Sequence, residues 1–316
     1  MAFAFARSDR SVPAAVRRIA SGELDSALAA LARPDAGNPR AVHGLRKRIK
    51  KLRGLLRLVQ PRFDGFAAEN AALRDAGRLI SGLRDAEVRV ATFARLAPAV
   101  DPGPRTAMAA ALEAARAEAA AADGAAALEA LRRALAAMLA RVPDWRIEGK
   151  GFAVLADGLE RTWDRAQRAM AAAEAERAGA FHAEPFHDWR KRVKAHWYQA
   201  RLLAPVWPAM MAPHVQAADD LGEALGLHND IAVLVDWLAA HPVAAAHPGG
   251  MAALAAAARA ARGELADACL IEGRRFLAGS PRALSRRWGL WWAVWRDQAA
   301  RPSSAPSISA IVSATP

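Results

Sequence analysis

Two copies of one histidine-led basic segment, 144 residues apart in a 316-residue chain, restrict the fold more than any other feature of the sequence. The first reads His43-Gly-Leu-Arg46-Lys47-Arg48-Ile49-Lys50 and the second His187-Asp-Trp-Arg190-Lys191-Arg192-Val193-Lys194. Six of the eight positions are identical or exchange Ile for Val, with no gap. Five of the six lysines lie in or beside these segments, as Lys47, Lys50, Lys51, Lys191 and Lys194, whereas arginine carries positive charge elsewhere. A second echo follows each copy. Ser81-Gly-Leu-Arg84-Asp85 places its aspartate 42 residues after His43, and Gly226-Leu-His228-Asn229-Asp230 places its own 43 after His187. A one-residue slip over that distance is what two diverged copies of one unit show, each burying a shared face against its sister.

The residues between the echoes are helix formers. Ala, Leu, Arg and Glu dominate and period-two β-branched runs are nearly absent, so the expectation is an all-α fold. Pro and Gly punctuation places helices at about 12–32, 40–61, 66–98, 105–121 and 125–141. A second set falls at about 152–178, 185–205, 212–240, 249–278 and 283–298. The domain reading is a first helical half over 1–143, a second over 144–299 and a disordered Pro/Ser/Ala-rich tail over 300–316.

On a helical wheel His43, Arg46, Lys47, Lys50, Arg53 and Arg57 fall within an arc of about 120°, with Leu45, Ile49, Leu52, Leu56 and Val59 opposite. In the second copy the arc holds His187, Arg190, Lys191, Lys194, Trp197, Tyr198 and Arg201, and Trp189, Val193, His196, Ala200 and Leu203 lie opposite. Like charges at i,i+3 and i,i+4 repel, so a helix carrying five or six of them on one face with no interleaved acid gives up local stability. A conflict of this kind, repeated in register, marks a functional surface. Guanidinium forks and mobile ammonium groups suit a repeating phosphate chain. His43 and His187 would gain proton affinity in that field and favour binding at mildly acidic pH.

The net charge of +12 and pI near 11 fit a nucleic acid, an anionic surface or another acidic polymer, and charge alone does not choose among them. Cys269 is the only cysteine, which excludes an intramolecular disulfide and suggests a small core residue. No apolar run approaches ~18 residues and the N-terminus lacks a signal-peptide pattern, so the expected location is the cytoplasm. His196 reads as a hydrogen-bonded core residue. His228 and Asp230, at i,i+2, diverge on a helix and are not expected to hold a metal; no cofactor is expected either.

These residues resemble the CHAD family, the conserved histidine α-helical domain, over about 10–298. The likeness lies in His43-x-x-Arg46-Lys47-x-x-Lys50-x-x-Arg53, in His187-x-x-Arg190-Lys191-x-x-Lys194-x-x-x-Tyr198, and in Leu225-Gly226-x-x-Asn229-Asp230. The resemblance implies two pseudo-two-fold-related helical bundles around a basic central groove or channel. It also implies binding of inorganic polyphosphate and association with polyphosphate granules. Ser81 departs from the usual glycine, Asn229 from arginine, and Trp197 stands where the first copy has Arg53, so the second half is expected to contact fewer phosphates. The Glu-x-Glu-x-Lys pattern of the triphosphate-tunnel domains fused to some relatives is not found.

The expected function is therefore non-catalytic polyphosphate binding through His43, Arg46, Lys47, Lys50, Arg53, Arg57, His187, Arg190, Lys191, Lys194, Tyr198 and Arg201. The alternative is a nucleic-acid-binding protein using the same surface, for which only Trp197 and Tyr198 offer stacking. Catalysis on polyphosphate or a nucleotide would require metal-binding carboxylates, which the basic arcs lack.

Overall fold

The computed structural model describes residues 3–80, 82–121, 124–178 and 182–298. Ser81 and the 300–316 tail, both used above, lie outside the described residues. Twelve α-helices form among them: α1 (Val12–Leu31), α2 (Pro39–Val59), α3 (Phe66–Arg78), α4 (Gly82–Leu96), α5 (Pro102–Ala121) and α6 (Gly124–Arg141), then α7 (Ala153–Ala178), α8 (Glu184–Leu203), α9 (Pro208–Ala240), α10 (Pro242–Ala246), α11 (Pro248–Phe276) and α12 (Pro281–Asp297). No β-strand occurs among the described residues, and one isolated antiparallel bridge joins Phe63 to Ile147. The fold is all-α, as expected.

Proline accounts for most boundary differences. It starts helices here more often than it stops them, because an N1 proline lacks an N–H that no helix bond would use. Thus Pro102 opens α5 and Pro208 opens α9 upstream of the expected starts, and Pro242 opens the unanticipated α10. The expected helix over 66–98 is two, α3 and α4. Side-chain caps reinforce several starts: Ser11, Asn38 and Ser280 accept from the backbone N–H three residues on, in α1, α2 and α12.

The core does not divide at 143. The largest apolar cluster joins α1, α2, α3 and α6 to Val154, Leu155 and Leu159 of α7, to Leu202 and Leu203 of α8, and to Trp288, Trp292 and Trp295 of α12. A second, around Trp163, Phe186, Trp189 and Leu225, fills the space between α7, α8, α9 and α11, and buries Cys269. A third packs Phe93 and Leu96 of α4 and Met108 and Leu112 of α5 against Leu234, Leu238 and Leu254 of α9 and α11. Helices from both sequence halves thus share cores, because each amphipathic stripe needs an apolar partner and the nearest is often in the other half.

Two glycines set how closely the central helices approach. A Cβ on Gly158 of α7 would lie 1.9 Å from the Leu58 carbonyl oxygen, so α7 and α2 touch backbone to backbone. A Cβ on Gly54 of α2 would lie 2.6 Å from Tyr198 Cβ of α8.

Candidate functional site

Gly54 and Tyr198 hold the same place in their copies, each eleven residues past the repeated histidine. The two basic helices therefore cross at equivalent positions, and the faces that meet are the faces that carry the cations. About one to three turns upstream of the crossing, His43, Lys47 and Lys50 of α2 and Lys191 of α8 are exposed, while Arg46, His187, Arg190 and Lys194 are half-buried.

Lys50 and Lys194, each seven residues past its histidine, converge on one carboxylate. Lys194 Nζ donates to Glu223 at 2.6 Å and to Asp219 at 2.7 Å, both on α9. Partial burial opposes ionisation of Glu223, but the Lys194 hydrogen bond and the fields of Lys194, Arg190 and Lys50 hold its carboxyl below the usual range. Arg190 donates from Nε to the Gly222 carbonyl at 3.4 Å, and its guanidinium packs against Gly226, where a Cβ would come within 2.8 Å of Nε. The glycine of the second echo motif thus makes room for the arginine of the basic helix. In the first copy Arg46 meets Asp85 of α4 at 3.7 Å and the Ile80 carbonyl, between α3 and α4, at 3.3 Å. Arg190 and Glu223 also line a cleft of about 460 Å³ with Thr92 and Arg95 of α4 and Asp230 of α9.

A second group of cations gathers toward the C-terminal end of α2. Arg57 is pushed down to about 10, first by burial and then by Arg53, Arg192 and Arg165; among the described residues no carboxylate offsets them. Arg53 donates to Asn70 Oδ1 at 3.1 Å and is lowered by burial and by Arg74 and Arg78 of α3, against Asp75. Arg165, Arg74 and Arg78 escaped the sequence reading because they lie on other helices, and only packing brings them to α2.

Several expectations change. Tyr198 is 6% exposed, packed against α2 and edge-on to Phe3 at 6.3 Å, so it is removed from the contact set. The wheel put it on the cationic arc, but α8 is buried almost all round beyond Ala195, and the helix crossing covers that face. Trp197, 9% exposed, is clamped between Lys194 Nζ and the Arg201 guanidinium at 4.4 and 4.7 Å from its ring, which commits Arg201 to an aromatic neighbour. The basic ridges are also not free of acid in three dimensions. Besides Asp219 and Glu223, buried Glu23 of α1 binds Arg48 at 3.0 Å and Lys51 at 2.7 Å. Arg192 pairs with Asp188 at 3.0 Å and Lys191 with Glu184 at 3.4 Å. Lys47 has no acidic partner among the described residues.

Burial, then Lys191 and Arg190 against Glu184 and Asp188, keeps the His187 imidazolium disfavoured, so the ring is neutral near pH 7. His196 is fully buried and its Nε2 lies 2.7 Å from His214 Nε2 beside Trp163, Phe276 and Trp288, the core role expected for it. His228 is also buried, stacked on Phe186 at 4.4 Å. Among the described residues no three His, Cys, Asp or Glu side chains gather as metal ligands, and no helix is long and apolar enough to cross a membrane.

The family model for the CHAD domain matches residues 19–239, well over half of the chain and both basic helices. The chain belongs to the CHAD domain family. The CHAD match is shorter at both ends than the 10–298 expected, and it stops at the end of α9, leaving α10, α11 and α12 outside it. Among solved structures, the CHAD domain from the plant Ricinus communis is similar to this chain at 18% identity, covering 91% of this chain and 96% of that one, with a TM-score of 0.49. No curated protein matches.

Proposed function

We propose that this CHAD protein binds inorganic polyphosphate without turning it over, and that it does so in the cytoplasm on polyphosphate granules. The polymer would run over the crossing of α2 and α8, from His43, Arg46, Lys47, Lys50, His187, Arg190, Lys191 and Lys194 to the arginines around Arg57. The observation that carries the reading is Arg57. Half-buried Arg57 feels Arg53, Arg192 and Arg165, and no acidic partner is seen for it among the described residues. A polyanion supplies a counter-charge, and forked donors from several arginines match tetrahedral phosphate oxygens.

Stacking on bases was the feature that would favour nucleic acid, and Trp197 and Tyr198 are both buried, which weighs against that alternative. Binding by charge neutralisation falls steeply with salt and grows with chain length until the cationic surface is filled. Calorimetry with a polyphosphate length series tests this. Reversing Lys47, Lys50, Lys191 and Lys194 together should abolish binding with helicity unchanged. Undiminished binding by that variant, preference for RNA or DNA at equal phosphate concentration, or metal-dependent release of phosphate would each overturn the reading.

A further inference from the structure

Lys150, the sixth lysine, lies outside both repeated segments, in the turn Gly149-Lys150-Gly151 that leads into α7. Both glycines are left-handed, at φ 97° and 57°, a backbone that side chains rarely allow. The turn forms one side of a cavity of about 370 Å³, completed by the start of α1 and the last turns of α12. Val12 and Ala15 of α1 and Trp292 of α12, all buried, make its apolar wall. Phe152, next after the turn, packs on Trp292 with ring centroids 6.0 Å apart. Exposed Arg10, Ser11 and Lys150 stand at the mouth. An apolar interior with a few polar groups at its opening, in the range of roughly 300–1,000 Å³, suits a small molecule rather than a polymer.

The charged residues lining the cavity are Asp9, Arg10, Lys150 and Arg296. Asp9 is occupied. Its Oδ1 accepts from Arg18 Nε at 2.7 Å, and its Oδ2 from Arg18 Nη2 at 2.8 Å and from the Ala6 N–H at 2.7 Å. Arg296 is committed to main chain, with Nη1 donating to the Ala6 and Arg7 carbonyls and Nη2 to the Asp9 carbonyl. Arg10 and Lys150 have no acidic partner among the described residues, and the carboxylates nearest in sequence, Glu148 and Asp297, do not line the cavity. The uncommitted charges are thus one guanidinium and one ammonium beside an apolar wall. We propose that this cavity binds a small organic carboxylate, its apolar body against Trp292, Val12 and Ala15 and its carboxylate between Arg10 and Lys150. A guanidinium fork and an ammonium together match one carboxylate. Inorganic phosphate would leave the apolar wall unfilled. The site shares no residue with the proposed polyphosphate surface. It joins the start of α1, the turn before α7 and α12, so its occupant stabilises the folded chain.

Calorimetry and thermal unfolding of the full chain with 3-phenylpropionate, octanoate, 3-phenylpropionamide, acetate and inorganic phosphate test the proposal. At least one of the first two should bind and raise Tm. The neutral amide, which lacks the charge, and acetate, which lacks the body, should each bind about tenfold or more weakly. Arg10→Glu with Lys150→Glu changes two exposed side chains, so helical ellipticity should stay the same. That variant should lose the carboxylates and take up 3-phenylpropylamine instead, because the sign of the mouth is reversed. Failure of both 3-phenylpropionate and octanoate to bind at millimolar concentration overturns the proposal. So does an amide or phosphate that binds as well as the carboxylates, or a double variant that keeps its affinity for them.

Discussion

At the residue scale, lysines of the two basic helices are held differently, and this has a measurable consequence. Lys47 faces solvent without an acidic partner among the described residues, whereas Lys194 is engaged by Asp219 and Glu223. On the proposed reading an incoming polyphosphate displaces those carboxylates, of which Glu223 also screens Lys50 and Arg190. Glu223→Gln should therefore tighten polyphosphate binding by roughly two- to fivefold at low salt, the worth of one exposed charge interaction. Unchanged or weaker binding in a calorimetric titration would contradict this. His187 supplies a pH dependence whose sign is fixed by its environment. Burial and neighbouring cations hold its pKa below the ordinary 6.5 in the free protein, and a bound polyanion raises it, so the complex takes up a proton. Affinity should rise as pH falls from about 7.5 to about 5.5, and His187→Ala should flatten the profile. A wild-type profile that is already flat over that range removes the role.

At the element scale, glycine decides how α2 meets its neighbours. Gly54→Ala would press a Cβ to 2.6 Å from Tyr198 Cβ, forcing α2 and α8 apart. Overpacking of that kind costs about 1–3 kcal/mol, read as a lower denaturant midpoint at unchanged slope. Gly158→Ala should cost more, since its new methyl meets the Leu58 carbonyl backbone at 1.9 Å and backbone yields less readily than a side chain. A Gly158→Ala protein as stable as wild type would mean that the two helices pack differently. The same crossing explains why Lys47 and Lys50 of the cationic arc are exposed and Tyr198 is buried. Periodicity orders residues around one axis; it does not show where along that axis a second helix lies. Upstream of Gly54 the arc stays open, and at Gly54 it is covered.

At the scale of the whole molecule, burial of three histidines ties stability to pH. Burial lowers His214 to about 4 and His228 to about 3, and takes His196 well below the ordinary 6.5, with His214 adding to its shift. The unfolded chain binds protons more readily at these sites. Stability is thus complete above about pH 6.5 and falls as pH drops toward about 4, by on the order of 3 kcal/mol from His214 alone. His214→Gln, which can keep a hydrogen bond to His196, should make urea midpoints less steep in pH over that window. An equally steep decline would contradict the assignment. The sequence by itself determined the helical class, from helix formers and the absence of period-two runs. It also determined the family, from two histidine-led motifs at matched spacing, and which residues carry positive charge. These are properties of local order along the chain. Only the tertiary structure decided that Arg165, Arg74 and Arg78 join the α2 arginines, that Asp219 and Glu223 occupy Lys194, and that α4 and α5 share a core with α9 and α11. Such neighbours come from helices dozens of residues apart, and whether two side chains meet there is set by how backbones dock, which no local period encodes.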